Sequence, residues 1–200
     1  MGRKRLHNED LKQRLLDVAG ERVHLYGVDG LSLRALAAAA GTSTAAVYAL
    51  FGGKPGLLAT LYERAFRRFG EAQAAVGATD DPLDDILRLG HAYRASAVAD
   101  PHGYRVMFGG VVLPEQVGPE LAQAGAETFM PLLDAVRRGV GGGRFVAGTS
   151  AEQIATAMWA NVHGLVSLEL GGFLPPHAGD PADVFEAAIQ ANLRGWTDSE

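Results

Sequence analysis

Three histidines, His91, His102 and His163, are the side chains in this 200-residue chain best suited to holding a metal or passing a proton. Their spacing does not organise them for it. None of the three sits in an H-x-x-x-H or E-x-x-H pattern, and no helical carboxylate–histidine pair joins them. The chain has no cysteine, which excludes disulfides and thiolate metal sites. No serine occupies a nucleophile elbow. The glycine-rich "GVGGGRF" follows a helical stretch rather than a strand, which does not suit a dinucleotide. His163 does have an organised neighbourhood: in "MWANVHGLVSLEL" Trp159 precedes it by four residues and Gly164 follows it. That spacing places indole and imidazole on one helical face, where they contact a ligand, pack in the core or meet a second subunit. Tyr93, Met107, Phe108, Phe129, Met130 and Leu133 can likewise be adaptable walls for a hydrophobic ligand or ordinary core. The residue types point to binding; no catalytic residue, cofactor or metal is expected.

The elements that must position these groups are helical. Sustained period-two alternation is missing, and 3.6-residue periodicity recurs along the chain. Nine helices are predicted, over about 9–26, 32–40, 43–51, 54–76, 83–99, 104–111, 119–140, 151–170 and 181–196. Leu15, Ala19, Val23 and Tyr26 form one stripe of the first. Pro131 interrupts the seventh and must kink or split it. Apolar residues make up 48% of the chain, enough for a sizeable core. No signal peptide opens the sequence and no run reaches the ~18 apolar residues of a membrane span, so a cytoplasmic protein without a membrane partner is expected. Charge is unevenly placed. Residues 1–68 carry eleven Lys/Arg against six Asp/Glu, whereas 69–200 carry seven against seventeen. The first third could face a polyanion; the remainder could not.

The segment "RALAAAAGTSTAAVYALFGGK" (34–54) holds a tight bend between two short helices. Gly41 can take the left-handed conformation that ends the first, and Ser43 can cap the second. Such helices are too short to stand alone. Leu36, Ala37 and Ala40 of one, and Val47 and Phe51 of the other, must lean on the stripe of the first helix and on Leu57, Leu58 and Leu61. The result is a helix-turn-helix whose second member can enter a major groove.

From Leu15 to Leu61 the sequence resembles the DNA-binding domain of the TetR family of transcriptional repressors. Gly27, "SLRALA", "AAG", "YALF" and "KPGLL" follow the family's motif order. Two positions depart from the pattern: Leu50 stands where histidine is frequent, and Gly52–Gly53 replaces a polar pair. The resemblance implies an all-α fold with a helix-turn-helix domain at 1–54 and a ligand-binding and dimerisation domain at 55–200. It also implies a repressor released from double-stranded operator DNA by a small hydrophobic ligand. Ser32 corresponds to a cap that also holds a phosphate at a helix N-terminus, and Arg34 to a side chain that reaches the groove, where a guanidinium can grip guanine. Ser43, Thr44, Ala45 and Ala46 open the recognition helix; Tyr48 and Lys54 correspond to phosphate contacts. The basic "GRKR" arm (2–5) can enter the minor groove, attract phosphate or serve as a solubilising tail. Trp159, His163 and Gly164 resemble a C-terminal subtype marked by Trp-x-x-x-His-Gly. A homodimer through the last two helices is implied, with Ile154, Met158, Val162, Leu165, Val166, Val184, Phe185, Ala188 and Leu193 as its apolar faces or as intrachain core. The alternatives from other classes are a small helical metal-binding or enzymatic protein and a helical adaptor without a DNA role.

Overall fold

The computed structural model describes residues 2–109 and 119–197, with side chains from 8–109 and 122–197. Among these residues ten α-helices form and no strand: α1 (Gly2–Tyr26), α2 (Leu33–Ala39), α3 (Thr44–Phe51), α4 (Lys54–Ala74), α5 (Pro82–Ala99), α6 (Pro101–Phe108), α7 (Pro119–Glu127), α8 (Met130–Gly141), α9 (Ala151–Leu170) and α10 (Pro181–Trp196). The tenth arises where nine were expected, because the predicted 119–140 helix is two. Pro131 stands in the first turn of α8. Its ring has no N–H to offer the preceding turn, so a new helix starts there instead of the old one continuing. α1 begins at Gly2, seven residues earlier than its periodicity indicates, so the backbone of the "GRKR" arm is helical; the arm's side chains lie outside those described. α6 begins earlier too, at Pro101, with Asp100 capping it through a 2.8 Å bond from the Gly103 N–H. The expected extension of that helix to Val111 lies outside the described residues.

Packing divides the chain into two compact units, Met1–Arg68 with Asp100–Gly125, and Phe69–Ala99 with Ala126–Glu200. In the first unit, Leu15, Leu16, Ala19 and Val23 of α1 close over Leu36 and Ala37 of α2, Val47 and Phe51 of α3, and Leu57, Leu61 and Ala65 of α4. Val106 of α6 joins this core and is buried. Each fully buried leucine or valine contributes about 1.5–3 kcal/mol relative to exposure, and that contribution is what holds two helices of fewer than ten residues. Tyr26 does not share the stripe predicted for it. α1 ends there, Gly27 turns the chain with φ +69°, and the Tyr26 ring is 62% exposed.

In the second unit the core joins Ile86 and Leu89 of α5, Leu133 and Val136 of α8, Ile154, Ala155 and Met158 of α9, and Leu193 of α10. The Phe145 ring lies so close to Gly139 that a methyl there would run into it. One buried charge organises the α5 start. Asp85 accepts from the Thr79 N–H (2.9 Å) and hydroxyl (2.8 Å), and from Arg88 and Arg138. Burial alone would push this carboxyl up; the bonds from Arg138, Thr79 and Arg88 outweigh it and hold the group far below the usual carboxylate range.

Candidate functional site

The bend at 40–43 is made by backbone hydrogen bonds. Thr42 donates to the Ala37 carbonyl (2.9 Å) and Gly41 to that of Ala38 (3.2 Å), the paired bonds of a Schellman close. Gly41 sits at φ +67° with open space where a Cβ would be. The conformation, not crowding, is what requires glycine. Ser43 then starts α3 in extended backbone and accepts from the Ala46 N–H (3.2 Å); Ser32 does the same for α2 from Ala35 (3.4 Å). The two helices bend by 106°, within the range of a helix-turn-helix.

The buried faces decide what points outward. With Val47 and Phe51 facing the core, Tyr48 is 56% exposed and Ala45 is exposed, while Thr44 and Ala46 are half-buried. On α2, Leu36 and Ala37 face in; Arg34 and Ser32 are exposed. Gly52 ends α3 at φ +71°, its N–H donating to the Tyr48 carbonyl at 2.8 Å, and Gly53 follows at φ +126°. A Cβ on Gly53 would lie 3.4 Å from the Tyr48 ring, so the glycine pair lets the phenol lie beside the start of α4, where Lys54 stands. Among the described residues no hydrogen bond or ion pair holds the side chains of Arg34, Tyr48 or Lys54. The first unit therefore presents two hydroxyl-capped helix starts, a phenol and two cations.

The second group of candidates is split by the fold. Met107 packs against the core of the first unit, and Phe108 of the same unit meets Phe66 (5.8 Å) and Tyr104 (5.1 Å). Leu133 is core of the second unit, and Met130 is 39% exposed. Four residues do come together there: Tyr93, His163, Trp159 and Phe129. The Tyr93 hydroxyl and His163 Nδ1 are 2.9 Å apart; His163 meets Trp159 at 5.7 Å, and Trp159 meets Phe129 at 6.1 Å. Sequence inspection missed Phe69, which stands edge-on to Tyr93 at 4.9 Å. No local pattern links α4 to α5, so nothing in the string signals that pair. Burial pushes the His163 imidazole below its usual range.

The three histidines do not converge. His91 pairs with Glu186 (3.1 Å), His102 meets His24 edge-on (4.4 Å between ring centroids) and His163 bonds Tyr93. No group of three metal-ligating side chains occurs among the described residues, and no single helix there is long and apolar enough to cross a membrane. On α9 and α10, Ile154, Met158, Val166, Phe185 and Leu193 are intrachain core, while Val162, Leu165, Val184 and Ala188 are half-buried.

Two family models match the chain. One, described as bacterial regulatory proteins, tetR family, covers residues 15–61; the other, tetracyclin repressor-like, C-terminal domain, covers residues 86–192. The chain is similar to HTH-type transcriptional regulator Rv1816 of Mycobacterium tuberculosis (strain ATCC 25618 / H37Rv), 25% identical over 219 aligned positions spanning 94% of this chain and 92% of that protein. Its structure is similar to that of the protein SCO4313, with a TM-score of 0.77 and 30% identity over 97% of this chain and 100% of that one. The fold also matches the TetR family transcriptional regulator PfmR from Thermus thermophilus, with a TM-score of 0.74 and 22% identity over 90% of this chain and 97% of that one.

Proposed function

The chain belongs to the TetR family of bacterial transcriptional regulators, and we propose that it is a cytoplasmic repressor released from its operator by a small hydrophobic molecule. The observation that carries the DNA-binding half of this proposal is the 106° helix pair with its exposed Arg34 and Tyr48 and half-buried Lys54, none of them held by a partner among the described residues. Ser32, Tyr48 and Lys54 position the phosphate backbone; Arg34 reads a base edge; Ser43, Thr44, Ala45 and Ala46 meet the groove floor through shape and thymine methyls. Functionally we divide the chain at 54/55, where the helix-turn-helix ends and α4, which links the two halves, begins.

The repressor is a homodimer, since one helix-turn-helix reads only a few base pairs and a two-fold operator supplies the rest. α9 turns Ala157, Ala160 and Gly164 away from its buried stripe, and α10 turns Ala187, Ala191 and Gly195 away from its own; space is open beside both glycines. Small residues on both helices allow close approach by a second copy. The C-terminal half is of the Trp159–His163–Gly164 type, and its inducer meets Tyr93, His163, Trp159 and Phe129.

A gel shift with DNA flanking the gene tests this function. Sequence-preferring binding should weaken steeply with salt, and Lys54→Ala should lower the salt slope by about one unit on every sequence. Binding that ignores sequence and salt would exclude the repressor.

A further inference from the structure

A cavity of about 120 Å³ lies among α1, α4 and α6 of the first unit, with Asp17, Arg64, Arg68, Asp100 and His102 in its wall. One pair of ionisable side chains joins each two of these helices. Asp17 and Arg64 link α1 to α4 at 2.7 Å, and Arg68 and Asp100 link α4 to α6 at 3.8 Å. His24 and His102 link α1 to α6 edge-on, with 4.4 Å between ring centroids. The first two links join opposite charges. The third joins two groups that take the same charge, so it holds best while both rings are neutral. Its surroundings penalise a proton. Nδ1 of each ring is buried without a hydrogen-bond partner among the described residues, and no carboxylate there is in ion-pair contact with either ring. The nearby acids are engaged, Asp17 by Arg64, and Asp100 by Arg68 and by the Gly103 N–H at 2.8 Å. Arg105, one turn beyond His102 on α6, adds positive charge. Burial first, then His102 and Arg105, push the His24 imidazole below its usual range.

The link bears on DNA binding through the core. Val106 of α6 is buried with Leu36 and Ala37 of α2 and Val47 and Phe51 of α3. α2 and α3, of seven and eight residues, keep their place only by such packing, as does α6 with eight. Resting on the proposed operator-binding role of the helix pair, we infer that the His24–His102 contact makes this chain a proton-sensitive regulator, which holds its operator while both rings are neutral and releases it on acidification. Protonation parts α6 from α1, draws Val106 from the shared core and removes support from the helices that meet the groove. The direction follows from linkage. A histidine whose pKa is lowered in the closed contact favours that contact above its ordinary value near 6.5, and the preference is lost as pH falls through the lowered one. DNA phosphates act the opposite way, because a negative neighbour favours a protonated imidazole. A histidine at the DNA surface would therefore tighten binding in acid.

The test uses the full chain and a duplex from the DNA flanking its gene, chosen by gel shift at about pH 7.5. Fluorescence anisotropy at fixed salt gives Kd from there down to about pH 5.5. Kd should rise as pH falls, by up to about tenfold per pH unit for one linked proton, while circular dichroism shows helicity unchanged. His24→Phe and His24→Gln, which cannot take the proton, should both flatten the rise. Calorimetry of the unmutated chain near pH 6, in two buffers of different ionisation heat, counts protons directly. Operator binding should release protons, whereas phosphate contacts alone would take them up. This count needs no substitution, so it decides even where both variants fold poorly. Proton uptake or no proton exchange on binding overturns the inference and leaves the operator role standing. So does an equal pH dependence in both variants and the unmutated chain, or a loss of helicity that tracks the loss of binding. Absence of sequence-preferring binding at the higher pH overturns the operator role together with the inference.

Discussion

Arg34 carries more of the expected specificity than any other side chain of the helix pair. Thr44, Ala45 and Ala46 are short, so the start of α3 can make few two-point hydrogen bonds. Arg34 is exposed on α2 and held by no partner among the described residues, and its forked donors match guanine O6 and N7. Arg34→Ala should cost about 1–3 kcal/mol on the best operator. It should cost much less on operators already changed at one guanine per half-site. Arg34→Lys should restore non-specific affinity more than discrimination. A matrix of these proteins against operators substituted at each base pair decides it; equal loss on every operator would falsify base reading and leave a phosphate contact. At Asp85 the stakes are structural. Its carboxylate is 1% exposed and takes bonds from Thr79, Arg88 and Arg138. Asp85→Asn should cost about 3 kcal/mol in urea unfolding, because two guanidiniums lose a charged partner. The carboxyl is depressed in the folded state, so this contribution is complete above the ordinary carboxylate pKa of about 4 and fades as pH falls below it.

Among elements, the α2–α3 turn is the narrowest constraint. Gly41 needs φ +67° and meets no neighbour, so the penalty of a substitution there is backbone strain. Gly41→Val should destabilise the first unit by about 1–3 kcal/mol and abolish operator binding, whereas Gly41→Asn, which tolerates the left-handed region, should retain most of both. Circular dichroism melting beside a gel shift would show the ordering, and equal stability of the two variants would remove the conformational explanation. At the α1–α6 contact a dependence on pH is predicted. His24 and His102 stand edge-on at 4.4 Å, with Nδ1 of each buried and, among the described residues, without a hydrogen-bond partner. Burial, then His102 and Arg105, lowers the His24 pKa. Asp17, Arg64, Arg68 and Asp100 share a cavity of about 120 Å³ with His102. A histidine with a depressed folded pKa stabilises fully above its ordinary value near 6.5, and this stabilisation is lost as pH falls through the folded pKa. Acidification from pH 7 to 5 should therefore loosen α6 from α1, read as faster amide exchange at Val106, and His24→Phe should blunt the loss. Exchange that does not change with pH in the unmutated protein would show that His24 does not titrate in that range.

For the proposed homodimer the question is which faces a second copy would cover. Val162 is the natural residue to mutate if the apolar stripe of α9 is taken from sequence, but it packs near Gly90 of its own chain. Val162→Glu should unfold the second unit rather than part a dimer. Ala160 and Ala191 are exposed in the single chain, so Ala160→Glu and Ala191→Glu should leave helicity and melting of the isolated subunit unchanged. Together they should convert dimers to monomers by sedimentation, with operator affinity falling as the second half-site is lost. A dimer that survives both substitutions lies on other helices.

Local chemistry determined a large part of this protein. The helix starts at Ser32 and Ser43, the glycine bend at Gly41 and the break at Pro131 each depend on one or two residues and their immediate backbone, so they are legible in the string. The outward orientation of Tyr48 follows in the same way from Val47 and Phe51 on a helix of fixed period. Tertiary structure decided what depends on partners far apart in sequence. It carried α6 back to the first unit, left Tyr26 outside the stripe, and took Ile154, Met158 and Phe185 into the chain's own core. It also brought Tyr93 to His163 across seventy residues. A periodic apolar stripe states that a face will be buried and does not name the surface that buries it; a histidine's proton is set by whichever group the fold places against it.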